Sequence, residues 1–327
     1  MASSPEEAVS PPSALPLLAV ADANTAGLVP LPEGRTLVLP PGEASKSWDS
    51  LRLALEFAAK AGLPREGAIL GLGGGVPCDL AAFAASLYMR GSRLVLVPTS
   101  LVAMADAALG GKAAVDLAGV RNLAGTFYAA DEVRIHTPFL ASLPEREYRS
   151  GLAEVLRTGL VAAPKVRSLL SGRGADLRSR DLALLDETVR RCVLAKASLC
   201  ERDPYDRGDR LRLNFGHTFA HALEALRPGI LHGEAVAWGM ARALDAGLEL
   251  GLTDPEAAAE ARSLIEAYGF ETSYSGIEPE ALLAAMRRDK KGLPGSLRLV
   301  LYKEECSVAL VETPEAVALR ALEKGLR

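Results

Sequence analysis

Four short apolar runs, Leu15–Ala21, Arg35–Leu39, Ala68–Leu72 and Arg93–Val97, constrain the fold of this chain more than any other feature. Each is strand-length and lacks a polar face, so each suits a strand buried on both sides. Between them lie patterns of helical period, among them Trp48–Ala61 and Asp79–Tyr88. Strand and helix in alternation build a parallel sheet with helices on both faces. After about residue 148 the texture changes. Helix-length amphipathic stretches dominate: Tyr148–Val161, Leu182–Leu199, Arg210–Leu226, Glu234–Leu250, Pro255–Tyr268 and Pro279–Arg288. Only Leu297–Tyr302 and Cys306–Val311 read as strands there. The expected fold is an α/β domain over residues 1–148 with a mainly parallel, Rossmann-like sheet, followed by a mainly α-helical domain over 149–327. The boundary is expected near Arg146–Ser150, and no internal repeat is evident. Residues 1–12 are small, polar and proline-rich, and are expected to be disordered.

Composition removes several function classes. At 49% hydrophobic residues over 327 positions, the chain can bury a core for each of two domains. A net charge of -4 leaves no general basic footprint for nucleic acid, and 5% aromatics offers little for base stacking. The cysteines Cys78, Cys192, Cys200 and Cys306 form no C-x-x-C pair and read as free thiols of a reducing compartment, the cytoplasm. No apolar run is long enough to span a bilayer, so no membrane partner is expected. Ala14–Val20 is short, lacks a basic flank before it, and reads as a buried strand, not a signal peptide.

Four motifs carry the chemistry. Leu72-Gly73-Gly74-Gly75-Val76-Pro77-Cys78-Asp79 follows an expected strand and opens an expected helix. Its glycines let a backbone approach a ligand, and a helix N-terminus favours an anionic group. A tight strand-to-helix turn has the same appearance. Pro98-Thr99-Ser100, with Asp106 and Gly110-Gly111-Lys112 beyond, again ends a buried strand, where ligands of open α/β sheets sit. Thr99 and Ser100 are equally suited to capping a helix, and Lys112 to solvent. With Arg90 and Arg121-Asn122 this group is suited to a cationic pocket for phosphate and carboxylate.

The third motif is Asn214-Phe215-Gly216-His217-Thr218-Phe219-Ala220-His221, followed by Leu231-His232-Gly233-Glu234. Three of the chain's four histidines fall in this window. His217 and His221, at i and i+4, share a helix face and form the natural pair for a metal. Two histidines and a carboxylate make an open catalytic zinc site. His136 stands apart and reads as structural. The fourth motif is Gly151-Leu152-Ala153-Glu154-Val155-Leu156-Arg157, in which Glu154 lies in an apolar helix. A buried carboxylate there needs a partner or a metal, whereas a surface glutamate would need neither.

Taken in order, these stretches resemble the 3-dehydroquinate synthase family. Pro41 to Lys46, Gly73 to Asp79, Tyr88 to Gly91, Pro98 to Lys112, Arg121-Asn122, Gly151 to Glu154, Asn214 to His221, Leu231 to Glu234 and Arg288 to Lys291 carry the likeness across nearly the whole chain. The resemblance implies a nucleotide-binding α/β domain, a helical metal domain, and a homodimer. It implies conversion of 3-deoxy-D-arabino-heptulosonate 7-phosphate to 3-dehydroquinate, with NAD as a recycled cofactor. It also implies zinc, with cobalt as the alternative, on Glu154, His217 and His232, leaving His221 beside the substrate. NAD would meet Asp22, Asn24, Glu43, Lys46, Gly74, Gly75, Val76, Asp79, Thr99, Ser100, Arg121, Phe139, Ser142 and Leu143. The sugar-phosphate substrate would meet Asp106, Lys112, Asn122, Lys196, Arg210, Asn214, His221 and one of Lys290 or Lys291. Arg90 would reach the substrate phosphate across the dimer interface.

The chain departs from the family pattern in three ways. Arg157 and Arg121 stand where lysine is usual, and arginine's planar fork is not equivalent to a lysine point charge. Little sequence precedes Asp22-Ala23-Asn24, so an N-terminal strand pair is expected to be missing. The competing readings are a cyclase for another sugar phosphate (inosose or valiolone type), a metal-dependent polyol or glycerol-phosphate dehydrogenase, and a non-catalytic paralogue.

Overall fold

The computed structural model describes residues 1–10, 16–289 and 295–326. The chain divides into two compact units, Met1–Pro144 and Glu145–Arg327. The division falls just ahead of a helix that starts at Glu145, a few residues before the change of texture near 148.

The first unit holds α1 (Pro5–Val9), β1 (Leu17–Asp22), β2 (Thr36–Leu39), α2 (Trp48–Lys60), β3 (Ala68–Gly73), α3 (Gly75–Leu87), β4 (Arg93–Pro98), β5 (Lys112–Leu117), β6 (Val120–Phe127) and β7 (Glu132–Val133). Among the described residues, five strands make one parallel sheet in the order β2-β1-β3-β4-β7. The apolar runs explain it. β1 and β3 are buried along almost their whole length, and their Leu18, Val20 and Ile69 pack with Leu51, Leu80, Phe83 and Leu94. α3 is rich in alanine, so it lies close on the sheet with Leu80 through Ala85 all buried. Register aligns the strand ends: Asp22 pairs with Leu39, and Gly73 with Pro98. The order reverses between β1 and β3, which opens a crevice at the carboxyl edge of the sheet.

Two features of this unit differ from the sequence expectation. Residues 5–9, expected to be disordered, form a helix, because Ser4 accepts a hydrogen bond from the Glu7 amide (3.1 Å) and Pro5 suits a first helical turn. The β5–β6 hairpin was not legible. β6 is exposed at nearly every position and shows neither an apolar alternation nor a buried run.

The second unit holds α4 (Glu145–Val161), α5 (Pro164–Gly172), α6 (Gly174–Arg178), α7 (Leu182–Arg202), α8 (His217–Leu226), α9 (His232–Glu249), α10 (Pro255–Ala267), α11 (Pro279–Asp289), the antiparallel pair β8 (Ser296–Glu304) and β9 (Ser307–Pro314), and α12 (Glu315–Lys324). α4 and α9 are buried along most of their length and form its centre. The stretch Arg210–Leu226, expected to be one helix, is broken into a 3-10 segment (Asp209–Asn214) and α8. Gly216 causes the break. It adopts a left-handed conformation (φ 83°) that ends one turn before His217 begins the next.

Candidate active site

Glu154 lies midway along α4 with no solvent exposure. His217 opens α8 and His232 opens α9, and both rings turn Nε2 toward the same carboxylate oxygen. Nε2 of His232 lies 3.1 Å from Glu154 Oε1, and Nε2 of His217 lies 3.7 Å from it. One ligand atom from each of the three residues falls within 4.8 Å of the others. The other ring nitrogens are engaged from behind. His217 Nδ1 faces the Phe215 carbonyl at 3.4 Å, and His232 Nδ1 faces Glu224 Oε1 at 3.3 Å. That arrangement fixes ring orientation and leaves Nε2 for coordination. A buried carboxylate with two such imidazoles is the donor set of an open zinc-type site, so these residues fit a divalent cation.

Electrostatics agree with that demand for positive charge. Burial drives His217 down to about 3, against the pull of Glu154, so it stays neutral. Partial burial also opposes charge on His232. The hydrogen bonds to Glu154 and Glu224 outweigh it and hold its pKa at about 10. His221 is not part of the cluster. Its ring centroid lies 5.7 Å from that of His217 in an edge-on arrangement, one turn further along α8. The i, i+4 pair suggested by spacing alone is therefore replaced by His217 with His232, whose rings lie 5.4 Å apart.

Close backbone packing sets these positions. A Cβ on Gly216 would lie 2.6 Å from the Met240 amide nitrogen, so α8 starts pressed against α9. A Cβ on Gly233 would lie 1.8 Å from the Ser150 carbonyl oxygen, and the Gly233 amide donates to Ser150 Oγ (2.9 Å). The start of α9 is thus seated against Ser150 of α4, one turn before Glu154. Glu234 caps α9 by accepting from the Leu231 amide (3.0 Å), and Arg146 grips both of its oxygens at 2.8 and 2.7 Å. Arg157, buried beside Glu154, places Nε 2.6 Å from Glu154 Oε2 and donates from Nη1 to the Leu213 carbonyl.

Two of these contacts were missed from sequence. Glu224 lies two helical turns after His217, so a carboxylate at i+7 on the histidine face was the available signal. Arg157 stood out only as a lysine replacement, although its i, i+3 spacing from Glu154 on one helix was the available signal.

The remaining residues expected near substrate in this unit are Lys196, Arg210, Asn214 and His221. Lys196 is buried on α7 and Arg210 is buried in the 3-10 segment against which α7 packs. The Arg210 amide donates to Asp203 Oδ2 (3.1 Å) and its Nη1 to the Pro204 carbonyl (3.1 Å). Asn214 Nδ2 donates to Asp206 Oδ2 at 3.5 Å. Lys290 and Lys291 lie outside the described residues.

In the first unit, the residues expected around NAD gather mostly at the carboxyl edge of the sheet. Asp22 ends β1, where its carboxylate accepts from the amides of Asn24 (2.9 Å) and Thr25 (3.0 Å). Gly74 caps α3, with Gly75 and Val76 in its first turn, and Ser100 stands beside Gly74 after β4. Thr99 donates its amide to the Gly73 carbonyl (2.8 Å). Glu43 and Lys46 follow β2, and Lys46 Nζ pairs with Asp79 Oδ2 at 2.5 Å. Burial opposes the charge of Lys46, but Asp79 outweighs it and raises the pKa. The Asp116 amide donates to the Lys46 carbonyl (2.9 Å), which ties the β5–β6 hairpin to this edge. Lys112 starts β5, and Arg121 and Asn122 lie exposed on β6. Asp106 sits in a π-helical turn, and Arg90 is exposed with φ 64°. Phe139, Ser142 and Leu143 lie on the turn Thr137–Ser142 and just after it. His136 is buried, with Nδ1 3.2 Å from the Ala2 carbonyl and its ring edge-on to Phe139, a structural role.

An open parallel sheet in one unit, and a buried carboxylate with two histidines in a helical unit, define a class of two-part NAD- and metal-dependent enzymes. Comparison with known proteins narrows that class. Residues 36–150 match the family model "3-dehydroquinate synthase N-terminal", and residues 151–292 match "3-dehydroquinate synthase C-terminal". A 3-dehydroquinate synthase of Xanthomonas campestris pv. campestris is 41% identical over 295 residues, covering 88% of this chain and 80% of that protein. One from Xylella fastidiosa is 41% identical over 292 residues, covering 87% and 79%. Among solved structures, the fold is similar to that of 2-epi-5-epi-valiolone synthase from Streptomyces hygroscopicus subsp. jinggangensis, determined with NAD+ and Zn2+ bound. Its TM-score is 0.86 at 26% identity, over 97% of this chain and 95% of that one. The chain belongs to the 3-dehydroquinate synthase family.

Proposed function

We propose that this protein carries out the 3-dehydroquinate synthase reaction, converting 3-deoxy-D-arabino-heptulosonate 7-phosphate to 3-dehydroquinate and phosphate. The cluster of Glu154, His217 and His232 carries the reading, in a chain that both family models match from residue 36 to 292. The reaction runs through transient oxidation, β-elimination of phosphate, re-reduction and intramolecular aldol closure, so no net NADH is formed.

A divalent cation bound there would supply Lewis-acid polarisation of a substrate oxygen, and NAD would supply reversible hydride acceptance. The chain's own residues do the rest. Glu154, His217 and His232 hold the cation, with Glu224 fixing the His232 ring. The carboxyl edge of β1, β3 and β4, with Gly74 and Gly75 at the start of α3, takes the nucleotide phosphates against backbone amides. Lys46 and Asp79 brace that edge. Lys196 and Arg210, buried cations on neighbouring segments, pair with an anionic end of the substrate, and Asn214 and His221 orient its hydroxyls. For the α/β unit, the family resemblance alone supports Asp106, Lys112 and Asn122 as substrate contacts and Arg90 for the phosphate.

We further infer a homodimer in the cytoplasm. The exposed apolar side chains of β6, Val120, Leu123 and Phe127, suit a protein contact, and the four cysteines are free thiols. No helix among the described residues is long and apolar enough to cross a membrane.

The test is phosphate release from 3-deoxy-D-arabino-heptulosonate 7-phosphate with catalytic NAD and zinc, following nicotinamide absorbance in the same cuvette. Phosphate release without net NADH, lost on chelation, is expected. Stoichiometric NADH would mean a dehydrogenase. Inactivity here with turnover of another sugar phosphate would mean a cyclase of the valiolone or inosose type.

A further inference from the structure

The arginine that replaces the family's usual lysine has a definite place in this site. Arg157 and Glu154 are one turn apart on α4, and both are almost wholly buried, at 1% and 0% exposure. The guanidinium uses two different edges. Nη1 donates to the carbonyl of Leu213, and Nε lies 2.6 Å from Glu154 Oε2 as an ion pair rather than an aligned hydrogen bond. With Oε2 engaged, Oε1 is the oxygen that faces Nε2 of His217 and of His232. The Leu213 carbonyl is two residues before that of Phe215, which faces His217 Nδ1. One rigid group therefore joins the carboxylate on α4 to the backbone segment that aims a histidine on α8.

Resting on the metal reading above, we propose that Arg157 is the positioning residue of the metal centre, holding Glu154 in a single orientation that presents Oε1 to the cation. The planar fork is the reason for arginine. One nitrogen of the fork is anchored on the Leu213 carbonyl, so the delocalised charge is held at a fixed place against Glu154, whereas an ammonium acts as a point charge without that geometry. A simple counter-charge to a buried glutamate would require only the positive charge, which lysine also supplies. The two roles separate experimentally.

The experiment titrates the metal-free full-length protein with Co2+ in competition with a chromophoric chelator, and records the visible absorption of the bound ion. Neither readout needs turnover. Arg157→Lys keeps the charge and removes the fork. It is expected to weaken Co2+ binding about 10-fold and to change the ligand-field spectrum, and Arg157→Met to weaken it about 100-fold, the range found for partners of metal ligands. An Arg157→Lys protein with wild-type affinity and spectrum would overturn the proposal, because charge alone would then suffice. Should Arg157→Met not fold, Arg157→Gln, which keeps a planar donor without charge, takes its place. It is expected to retain the wild-type spectrum better than the lysine variant does, and the reverse order would also count against positioning. Glu154→Ala and His217→Ala serve as controls. Tight Co2+ binding by either would sink the metal reading itself. Loss in both, with unaffected Arg157 variants, would remove only the role of Arg157.

Discussion

The helical unit makes its site from buried, charged side chains, and the α/β unit makes its site from backbone at strand ends. In the helical unit Glu154, Arg157, Lys196 and Arg210 are all buried, and Glu154 and Arg157 are each other's countercharge. The side chains of the site, its two histidines included, come from four helices and a 3-10 segment, so no single element contains it. In the α/β unit the candidate nucleotide edge consists of amides and carbonyls that the sheet register aligns, and its charges are local pairs such as Lys46 with Asp79. The difference teaches where each site is fragile. A site of buried charges fails when one member is removed, because the others are left uncompensated. A site of aligned backbone depends on the sheet and tolerates side-chain changes around it.

The largest contrast should come from His232→Ala. Turnover is expected to fall at least about 10³-fold, equivalent to several kcal/mol of lost transition-state stabilisation. Metal stoichiometry measured by atomic absorption should fall with it, while NAD binding by fluorescence titration persists. Equal loss of NAD binding would break the comparison, since the two sites would then not be independently built.

Gly233→Ala probes packing in the helical unit. The added methyl meets the Ser150 carbonyl at a distance no real side chain adopts, so α9 must shift from α4. A loss near or above the usual overpacking range of about 1–3 kcal/mol is expected in urea unfolding. Metal affinity should drop as well, because His232 moves with the helix start.

On the α/β side, Lys46→Met removes the cation from Asp79, a hydrogen-bonded charge pair of about 1.5–3 kcal/mol. Here the pH dependence has a definite sign. The pKa of Lys46 is raised above its ordinary 10.5, so its stabilisation is fully present below that value. It is lost as pH rises through the folded pKa. The stability gap between wild type and variant should therefore be flat through neutral pH and close only above about pH 10.5.

The smallest effect is expected from Ser100→Ala. It removes a cap in which Ser100 Oγ accepts from the Ala103 amide at 3.3 Å, a loss of about 1 kcal/mol. NAD affinity should fall by no more than one side-chain contact of Ser100 supplies, because the flanking Gly73–Thr99 backbone contact remains. A large loss of NAD affinity would show that side chains matter at this edge as they do in the helical unit.

The sequence by itself determined the parts of this protein governed by local pattern. Doubly buried strands must be near-continuously apolar, so β1, β3 and β4 were legible as runs, and their alternation with helices implied the parallel sheet; β2, read the same way, is an edge strand with Val38 exposed. The clustering of His217, His221 and His232 announced a site. Spacing could not decide which of them face Glu154, because it pairs His221 with His217 and says nothing about α9; the family resemblance named His217 and His232, and the tertiary structure brings those two to the carboxylate. Gly216 turned one expected helix into two segments through a contact with Met240 that no local window contains. The exposed β6 strand left no periodic signal, since its residues bury little. Glu224 and Arg157 gained their places the same way. A charged residue on a helix looks alike in sequence whether it meets water or a neighbour, and a partner from another segment, His232 for Glu224 and the Leu213 carbonyl for Arg157, fixes the difference.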